Sequence, residues 1–326
     1  MGRRFIVLLA VLFLGIVPRA WAVGFQWVSA PNPDGDGPLK VAVWYPSKTA
    51  PLIKQIGPFE MAVAFDAPIS GTQHGLILMS HGTGGMALNS YDTAIALAQA
   101  GYVVAAVTHA GDNYLDHSVA FSQQNFTGRA RQISRVLDFM LHDWGSHASI
   151  DPARVGFFGH SAGGTTGLIV AGGVGDWQRA VAFCATHGDD WGCRHARDLG
   201  RTAEPGAPTR VAGADPRIKA LVIAAPALAH IFEPAGLVAL KIPTQLWVGA
   251  RDDVVVDAAK LRGLMVRKPD YRLIPNGGHF VVLSPCNDIL RANAPEICID
   301  PHGFDRARFL KRFQRDVVAF YRRTLK

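Results

Sequence analysis

The sequence of 326 residues has little charge, few cysteines and, after residue 22, no long run of apolar residues. Charged residues make up 18% and hydrophobic residues 49% of the chain, a composition typical of folded rather than disordered proteins. Because no stretch after residue 22 is long and apolar enough to cross a bilayer, we expect no stable membrane insertion there. No internal repeat or linker divides the chain, which favours a single domain.

Motifs for nucleic acids and phosphates are also lacking. Residues 82–85 form a glycine-rich stretch, but the Lys-Ser/Thr pair that completes a phosphate-binding loop does not follow it. The formal net charge is +7, and the basic residues after the N-terminal segment are scattered except for a run between residues 306 and 326. That run has the spacing of a solvated helix face. We therefore expect no nucleic-acid partner.

The first 22 residues have the composition of an export signal. Arg3 and Arg4 precede an apolar run over residues 5–17, and Ala20-Trp21-Ala22 fits a cleavage site. The apolar run is short for a transmembrane helix. We expect a cleaved signal peptide at residues 1–22 and a periplasmic or secreted protein of residues 23–326, with an uncleaved anchor as the alternative.

The chain has only four cysteines. They are Cys184, Cys193, Cys286 and Cys298. Four cysteines allow three pairings, and export to an oxidising compartment favours two local disulfides, Cys184–Cys193 and Cys286–Cys298. The alternative for the first pair is a zinc site that also uses His187 and His195.

Short apolar segments alternate with segments of helical periodicity along the chain. The predicted strands are residues 39–45, 75–80, 102–107, 155–158, 219–224, 244–248 and 271–274. The predicted helices are about residues 89–100, 127–143, 164–172, 257–266 and 305–321. This alternation predicts an α/β fold whose mostly parallel sheet is flanked by helices, with the ligand site at the carboxyl ends of the strands.

Periodicity is lost between residues 184 and 216, where Gly, Arg, Asp and Pro dominate. We expect this stretch to be a lid or rim insertion over the strand ends. Residues 108–126 form a second long polar segment. Together the two segments are expected to supply the walls of a binding pocket.

The segment Gly159-His160-Ser161-Ala162-Gly163 matches the pattern G-x-S-x-G. It lies between a predicted strand and a predicted helix, which is the context of a nucleophile elbow. Such a turn strains the serine backbone, and the flanking glycines let strand and helix approach closely. The sequence therefore predicts that Ser161 is a catalytic nucleophile.

A serine hydroxyl needs a base and an acid that orients the base. In the elbow fold these partners follow in the order Ser, acid, His. Asp252 follows the predicted strand 244–248, and His279 follows the predicted strand 271–274. We predict that they are the acid and the base, with Asp253 as the alternative acid.

Three further histidines lie near strand ends in the sequence. His160 precedes the predicted nucleophile and is expected to pack beneath the elbow. His81 and His109 follow predicted strands and are expected to line the pocket. None of the three has the chain position of the base.

An oxyanion needs hydrogen-bond donors fixed where its charge develops. One predicted donor is the backbone N–H of Ala162, directly after Ser161. The second is the backbone N–H of Thr83, in the glycine-rich loop (residues 82–85) that follows the strand 75–80, with Gly82 as the alternative.

These motifs together resemble the α/β-hydrolase superfamily and, within it, exported predicted dienelactone hydrolases and related platelet-activating-factor acetylhydrolases and cutinase-like polyester hydrolases. The resemblance implies that Ser161, Asp252 and His279 form the triad and that Thr83 and Ala162 hold the oxyanion. Dienelactone hydrolases use a Cys nucleophile, whereas this chain has Ser161, which favours ordinary carboxylic esters. The matching motifs are Val43-Trp44-Tyr45-Pro46, Leu78-Met79-Ser80-His81-Gly82, Thr108-His109-Ala110-Gly111-Asp112, Gly159-His160-Ser161-Ala162-Gly163, Gly249-Ala250-Arg251-Asp252 and Gly278-His279-Phe280.

The sequence thus predicts a serine hydrolase that cleaves small-molecule carboxylic esters through an acyl-enzyme and requires no metal or organic cofactor. An amidase or peptidase with the same triad is one alternative. A non-catalytic binding protein on a hydrolase fold is the other, because fold alone does not fix function.

Overall fold

The structure, a computed structural model, describes residues 22–35, 37–201 and 209–326. The predicted signal peptide, apart from Ala22, lies outside the described residues. So do residues 202–208 of the predicted insertion.

The described residues form strands and helices that alternate over most of the chain. The strands are β1 (Ala22–Ala30), β2 (Leu39–Ser47), β3 (Leu52–Ile56), β4 (Phe59–Phe65), β5 (His74–Ser80), β6 (Val103–Thr108), β7 (Ile150–His160), β8 (Gly175–Asp176), β9 (Arg210–Val211), β10 (Ile218–Ala224), β11 (Thr244–Gly249) and β12 (Asp270–Ile274). The helices are α1 (Tyr91–Gln99), α2 (Gln123–His142), α3 (Ala162–Val170), α4 (Trp177–Thr186), α5 (Trp191–Asp198), α6 (Leu261–Leu264), α7 (Asp288–Asn293) and α8 (Arg306–Thr324).

Ten strands form one sheet in the order β12-β11-β10-β7-β5-β6-β2-β1-β4-β3. The six strands from β12 to β6 are all parallel to one another, and β2 pairs antiparallel with β6 and β1. The central strands β5 and β10 are apolar and almost wholly buried, as strands covered on both faces must be. The predicted fold class, an α/β fold with a mostly parallel sheet flanked by helices, is confirmed.

Helices cover both faces of this sheet and complete two apolar cores. Helices α2 and α3 pack on one face, and α1 and α8 pack on the other. Tyr321 of α8 is fully buried, and its hydroxyl donates a hydrogen bond to the carbonyl of Phe157 at 2.6 Å. The C-terminal helix is thereby anchored to the strand that leads to Ser161.

Two local predictions differ from the structure. The helix expected over residues 257–266 is reduced to a 3-10 turn at Ala258–Lys260 and the single turn α6. The Asp257 carboxylate pairs with His230 instead of capping a helix, and Gly263 is a poor helix former. The segment 184–216 is not irregular throughout. It contains part of α4, all of α5, and β9.

Both predicted disulfides are formed, Cys184–Cys193 and Cys286–Cys298. Cys184 and Cys193 are therefore not available as zinc ligands, and no cluster of potential metal ligands occurs within the described residues. The disulfide Cys184–Cys193 joins α4 to α5, and we call this pair of helices the cap. No helix in the described ranges has the length and apolar character that crossing a bilayer requires.

Candidate active site

Ser161 lies on the sharp turn between β7 and α3. Its backbone has φ 54° and ψ −119°, a strained conformation for a residue with a side chain. A Cβ atom at Gly159 would lie 2.1 Å from the carbonyl oxygen of Gly163, and one at Gly163 would lie 2.0 Å from that of Ser80. The turn therefore requires glycine on both sides of Ser161, as the elbow pattern predicts.

Ser161 lines a cavity of about 940 Å³ at the carboxyl ends of the parallel strands. Its backbone N–H donates to the carbonyl of Ala224 at 3.0 Å, which ties the turn to the end of β10. Within the described part of the chain, the Ser161 hydroxyl makes no hydrogen bond, and none joins it to His279. Nucleophile–base hydrogen bonds are often long in structures without substrate.

Asp252 and His279 come together beside the elbow. His279 Nδ1 lies 2.9 Å from Asp252 Oδ2, and the two side chains are only 1% and 2% exposed. The other carboxylate oxygen of Asp252 accepts the backbone N–H groups of Val254 and Val255 at 3.1 and 2.7 Å. Asp253 is exposed, so of the two candidate acids the structure places Asp252 against the histidine.

His160 connects the elbow to the His279 loop. Its Nε2 lies 3.0 Å from the carbonyl oxygen of His279, and the two ring centroids are 4.8 Å apart. Burial, reinforced by His279, lowers the pKa of His160 to about 3, so its ring is neutral and Nε2 donates. The sequence predicted a packing role for His160, and the structure adds this hydrogen bond to it.

The two predicted oxyanion donors lie next to Ser161. Ala162 is the first residue of α3, and N–H groups in the first turn of a helix have no helical acceptor. Thr83 lines the cavity together with Ser161. A Cβ atom built on the preceding Gly82 would lie 3.2 Å from the Cβ of Ser161.

His81 and His109 do not line this cavity; the prediction that they would is wrong. Both are buried, and their ring nitrogens pair with polar groups, which offsets the cost of that burial. His109 pairs with Ser80 and Gln132, and His81 pairs with the carbonyl of Gly82. Burial lowers the pKa of His81 to about 3 and that of His109 well below its usual value, so both rings are neutral.

A fully buried ion pair between Arg129 and Asp112 lies in the same polar cluster, and the sequence did not predict it. The side chains are both 0% exposed and 2.9 Å apart. Burial raises the pKa of Asp112, but Arg129 and hydrogen bonds outweigh that effect and leave it below the usual value. A signal was present in the sequence, because Arg129 stands four residues before Ile133 on the apolar face of the predicted helix.

The cavity beyond Ser161 is walled by aromatic side chains. Those that line it are Phe121, Phe126, Trp177, Phe183 and Trp191. Three of the five belong to the cap, and both members of the cap disulfide also line the cavity. The prediction that residues 108–126 and 184–216 form the cavity walls is thus partly right. The sequence did not indicate the further surfaces, which come from α4 and from residues 227–230 and 254–257.

A second histidine–aspartate pair borders the cavity. His230 Nδ1 lies 2.8 Å from Asp257 Oδ2, and the same oxygen accepts the backbone N–H of His230 at 2.8 Å. The His230 ring stacks on Phe183 of the cap, with centroids 4.0 Å apart, and His187 stacks on Phe183 at 4.1 Å. His230 Nε2 is buried and has no hydrogen-bond partner among the described residues.

Comparison with known proteins gave a structural match only. No family model and no curated protein matched the sequence. Among solved structures, a ferulic acid esterase from Streptomyces cinnamoneus superposes with a TM-score of 0.64 and 17% sequence identity, covering 95% of this chain and 91% of that chain. At this identity the likeness shows a shared fold, the α/β-hydrolase fold that the motifs predicted.

Proposed function

We propose that this protein is a serine hydrolase that cleaves carboxylic esters through an acyl-enzyme on Ser161, His279 and Asp252. The observation that carries the proposal is the strained backbone of Ser161, a residue that lines the cavity. Strain of this kind persists only where surrounding structure holds it in place, and it clusters at functional sites. The buried His279–Asp252 pair beside the same turn supplies the partners that a serine nucleophile needs.

In this mechanism Ser161 Oγ attacks the ester carbonyl carbon while His279 Nε2 takes its proton. Asp252 accepts the hydrogen bond from His279 Nδ1, fixes the tautomer and stabilises the charged ring. The backbone N–H groups of Ala162 and Thr83 bind the oxyanion of the tetrahedral intermediate. The intermediate expels the alcohol, protonated by His279, and water then hydrolyses the acyl-enzyme by the same steps.

Esters are favoured over amides by two observations. The structural neighbour is named an esterase. The motifs resemble exported dienelactone hydrolases and platelet-activating-factor acetylhydrolases, and Ser161 stands where dienelactone hydrolases have a cysteine. We place the enzyme in the periplasm or outside the cell, as a mature domain of residues 23–326. Its two disulfides and the composition of residues 1–22 support that location.

The test is Ser161→Ala, assayed with p-nitrophenyl esters and with a fluorophosphonate probe. We expect a fall in kcat of about 10⁶-fold, since a triad serine is the attacking atom, and loss of labelling. Ser146→Ala is the matched control, because Ser146 precedes the opposite end of β7 and should leave both readouts unchanged. Ester hydrolysis that survives in Ser161→Ala would refute the proposal. A wild-type protein that neither hydrolyses esters nor labels would instead favour a binding role.

A further inference from the structure

The carbonyl oxygen of Gly82 is held by three donors at once. His81 Nδ1 lies 2.6 Å from it, the backbone N–H of Gly85 3.1 Å and Arg129 Nη2 3.3 Å. His81 Nε2 accepts the backbone N–H of His109 at 3.0 Å, so the proton of the ring is on Nδ1. The position of this one carbonyl is therefore fixed from three sides.

The same peptide group carries the N–H of Thr83. A trans peptide is planar, and its C=O and N–H point in opposite directions. Fixing the oxygen of Gly82 on the buried side therefore fixes the Thr83 N–H toward the opposite side. Thr83 and Ser161 both line the cavity, and Gly82 packs against Ser161.

Arg129 and Asp112 hold the loop at both ends. Arg129 Nη1 donates to the carbonyl of His81 at 2.7 Å, just before the glycine-rich loop. Asp112 Oδ1 accepts the backbone N–H of Gly84 at 2.9 Å, within the loop. The two side chains are joined by their ion pair, so the loop is fastened to one buried unit.

The burial of this ion pair needs a reason other than stability. Burying two charges costs so much desolvation energy that a buried salt bridge is weak evidence for stabilisation. Arg129 donates hydrogen bonds to the backbone carbonyls of His81 and Gly82, as well as to Asp112 and Ser80. A cation on the oxygen of an amide also polarises that amide, which strengthens its N–H as a donor.

We propose that Arg129, with Asp112 and His81, is a positioning group that orients and polarises the Thr83 peptide as an oxyanion donor. The inference rests on the proposed function, since it assigns a role only if Ser161 forms a tetrahedral adduct. Arg129 is fully buried and does not line the cavity, so in this proposal it acts through the peptide between Gly82 and Thr83.

The test uses two independent changes. Arg129→Lys keeps a cation beside Asp112 but loses the planar guanidinium group that donates to the carbonyls of both His81 and Gly82. His81→Gln removes the Nδ1 donor to the Gly82 carbonyl. His81→Asn keeps an N–H at the position of Nδ1 and should therefore retain most of the activity that His81→Gln loses. Gln132→Leu is the control, because Gln132 is buried in the same cluster and its side chain, among the described residues, bonds to His109 and Ala110 rather than to the Gly82 carbonyl.

The decisive readout is the inhibition constant of an alkyl trifluoromethyl ketone, whose adduct with Ser161 carries the oxyanion. For Arg129→Lys we expect kcat to fall by about 10- to 100-fold with KM little changed, because a small misplacement of a catalytic group costs that much. Inhibitor affinity should fall by the same factor. His81→Gln should show a smaller loss of both, and His81→Asn should recover most of it.

Each outcome is decisive. If Arg129→Lys does not fold, the His81→Gln and His81→Asn pair decides. Wild-type inhibitor affinity in both Arg129→Lys and His81→Gln would overturn the inference, and so would an equal loss in Gln132→Leu, which would indicate general loosening. A wild-type enzyme without Ser161-dependent hydrolysis or inhibition would overturn the proposed function itself, and the inference with it.

Discussion

Two histidine–aspartate pairs lie near the same cavity, and their hydrogen bonds are almost equal in length. His279 and Asp252 are 2.9 Å apart, and His230 and Asp257 are 2.8 Å apart. Both carboxylates are buried. Distance and burial therefore do not tell which pair serves Ser161.

The connections around each pair do distinguish them. The backbone of His279 is bonded to His160, the residue directly before Ser161, so this pair is fixed to the elbow. One carboxylate oxygen of Asp257 instead accepts two hydrogen bonds from His230, and the ring of His230 stacks on the cap. We therefore propose that the first pair serves Ser161 in catalysis, whereas the second pair fastens the cavity wall.

The largest expected effect comes from removing the base of the first pair. His279→Gln should lower kcat by about 10⁶-fold, since a triad without its base is as inactive as one without its nucleophile. Steady-state hydrolysis of p-nitrophenyl acetate measures this, with circular dichroism to verify folding. An active His279→Gln variant together with an inactive His230→Gln variant would contradict the roles proposed for the two pairs.

A smaller but still large loss is expected for the acid. Asp252→Asn keeps the shape of the side chain but no longer favours the tautomer with its proton on Nδ1, and it should lower kcat by about 10⁴-fold. Asp253→Asn is the matched control, because Asp253 is exposed and should leave kcat unchanged. Equal losses in the two variants, measured by the same ester assay, would contradict the assignment of Asp252.

The smallest effect on chemistry is expected at the second pair. His230→Phe keeps a flat ring for stacking on Phe183 and should change kcat/KM by no more than about tenfold, or 1.4 kcal/mol. Its free energy of unfolding should fall by about 1–3 kcal/mol, because the buried Asp257 carboxylate loses a donor. Denaturant unfolding of the variant and of the wild type measures this difference in the free energy of unfolding. A loss of activity as large as that of His279→Gln, with stability unchanged, would show that the two pairs have been assigned the wrong way round.

The sequence predicted the parts of the site that depend on strand ends. Apolar runs located the strands, and Ser161, Asp252 and His279 each follow one of them. The sequence favoured Asp252 and kept Asp253 as the alternative. The structure separates the two, because a one-residue difference in a loop is set by backbone hydrogen bonds such as that from Val255.

The residues that the sequence did not identify depend on contacts between distant parts of the chain. Arg129 meets a loop 47 residues earlier in the chain, and His230 meets a carboxylate 27 residues later. The cap helices escaped prediction because they are short, ten and eight residues, and each buries a single residue, Ala180 in α4 and Cys193 in α5. No pattern in a single sequence indicates which distant side chains will meet.

The glycines that flank Ser161 also determine which positions near the cavity tolerate substitution. At Gly159 and Gly163 an added Cβ would overlap backbone atoms, and no rearrangement of neighbouring side chains can relieve such an overlap. The cavity wall, by contrast, is built in part from side chains on a cap that a disulfide already holds in place. If Ser161 is the nucleophile that we propose, substitutions in the wall can therefore change which molecules enter the cavity while the turn that attacks them stays the same.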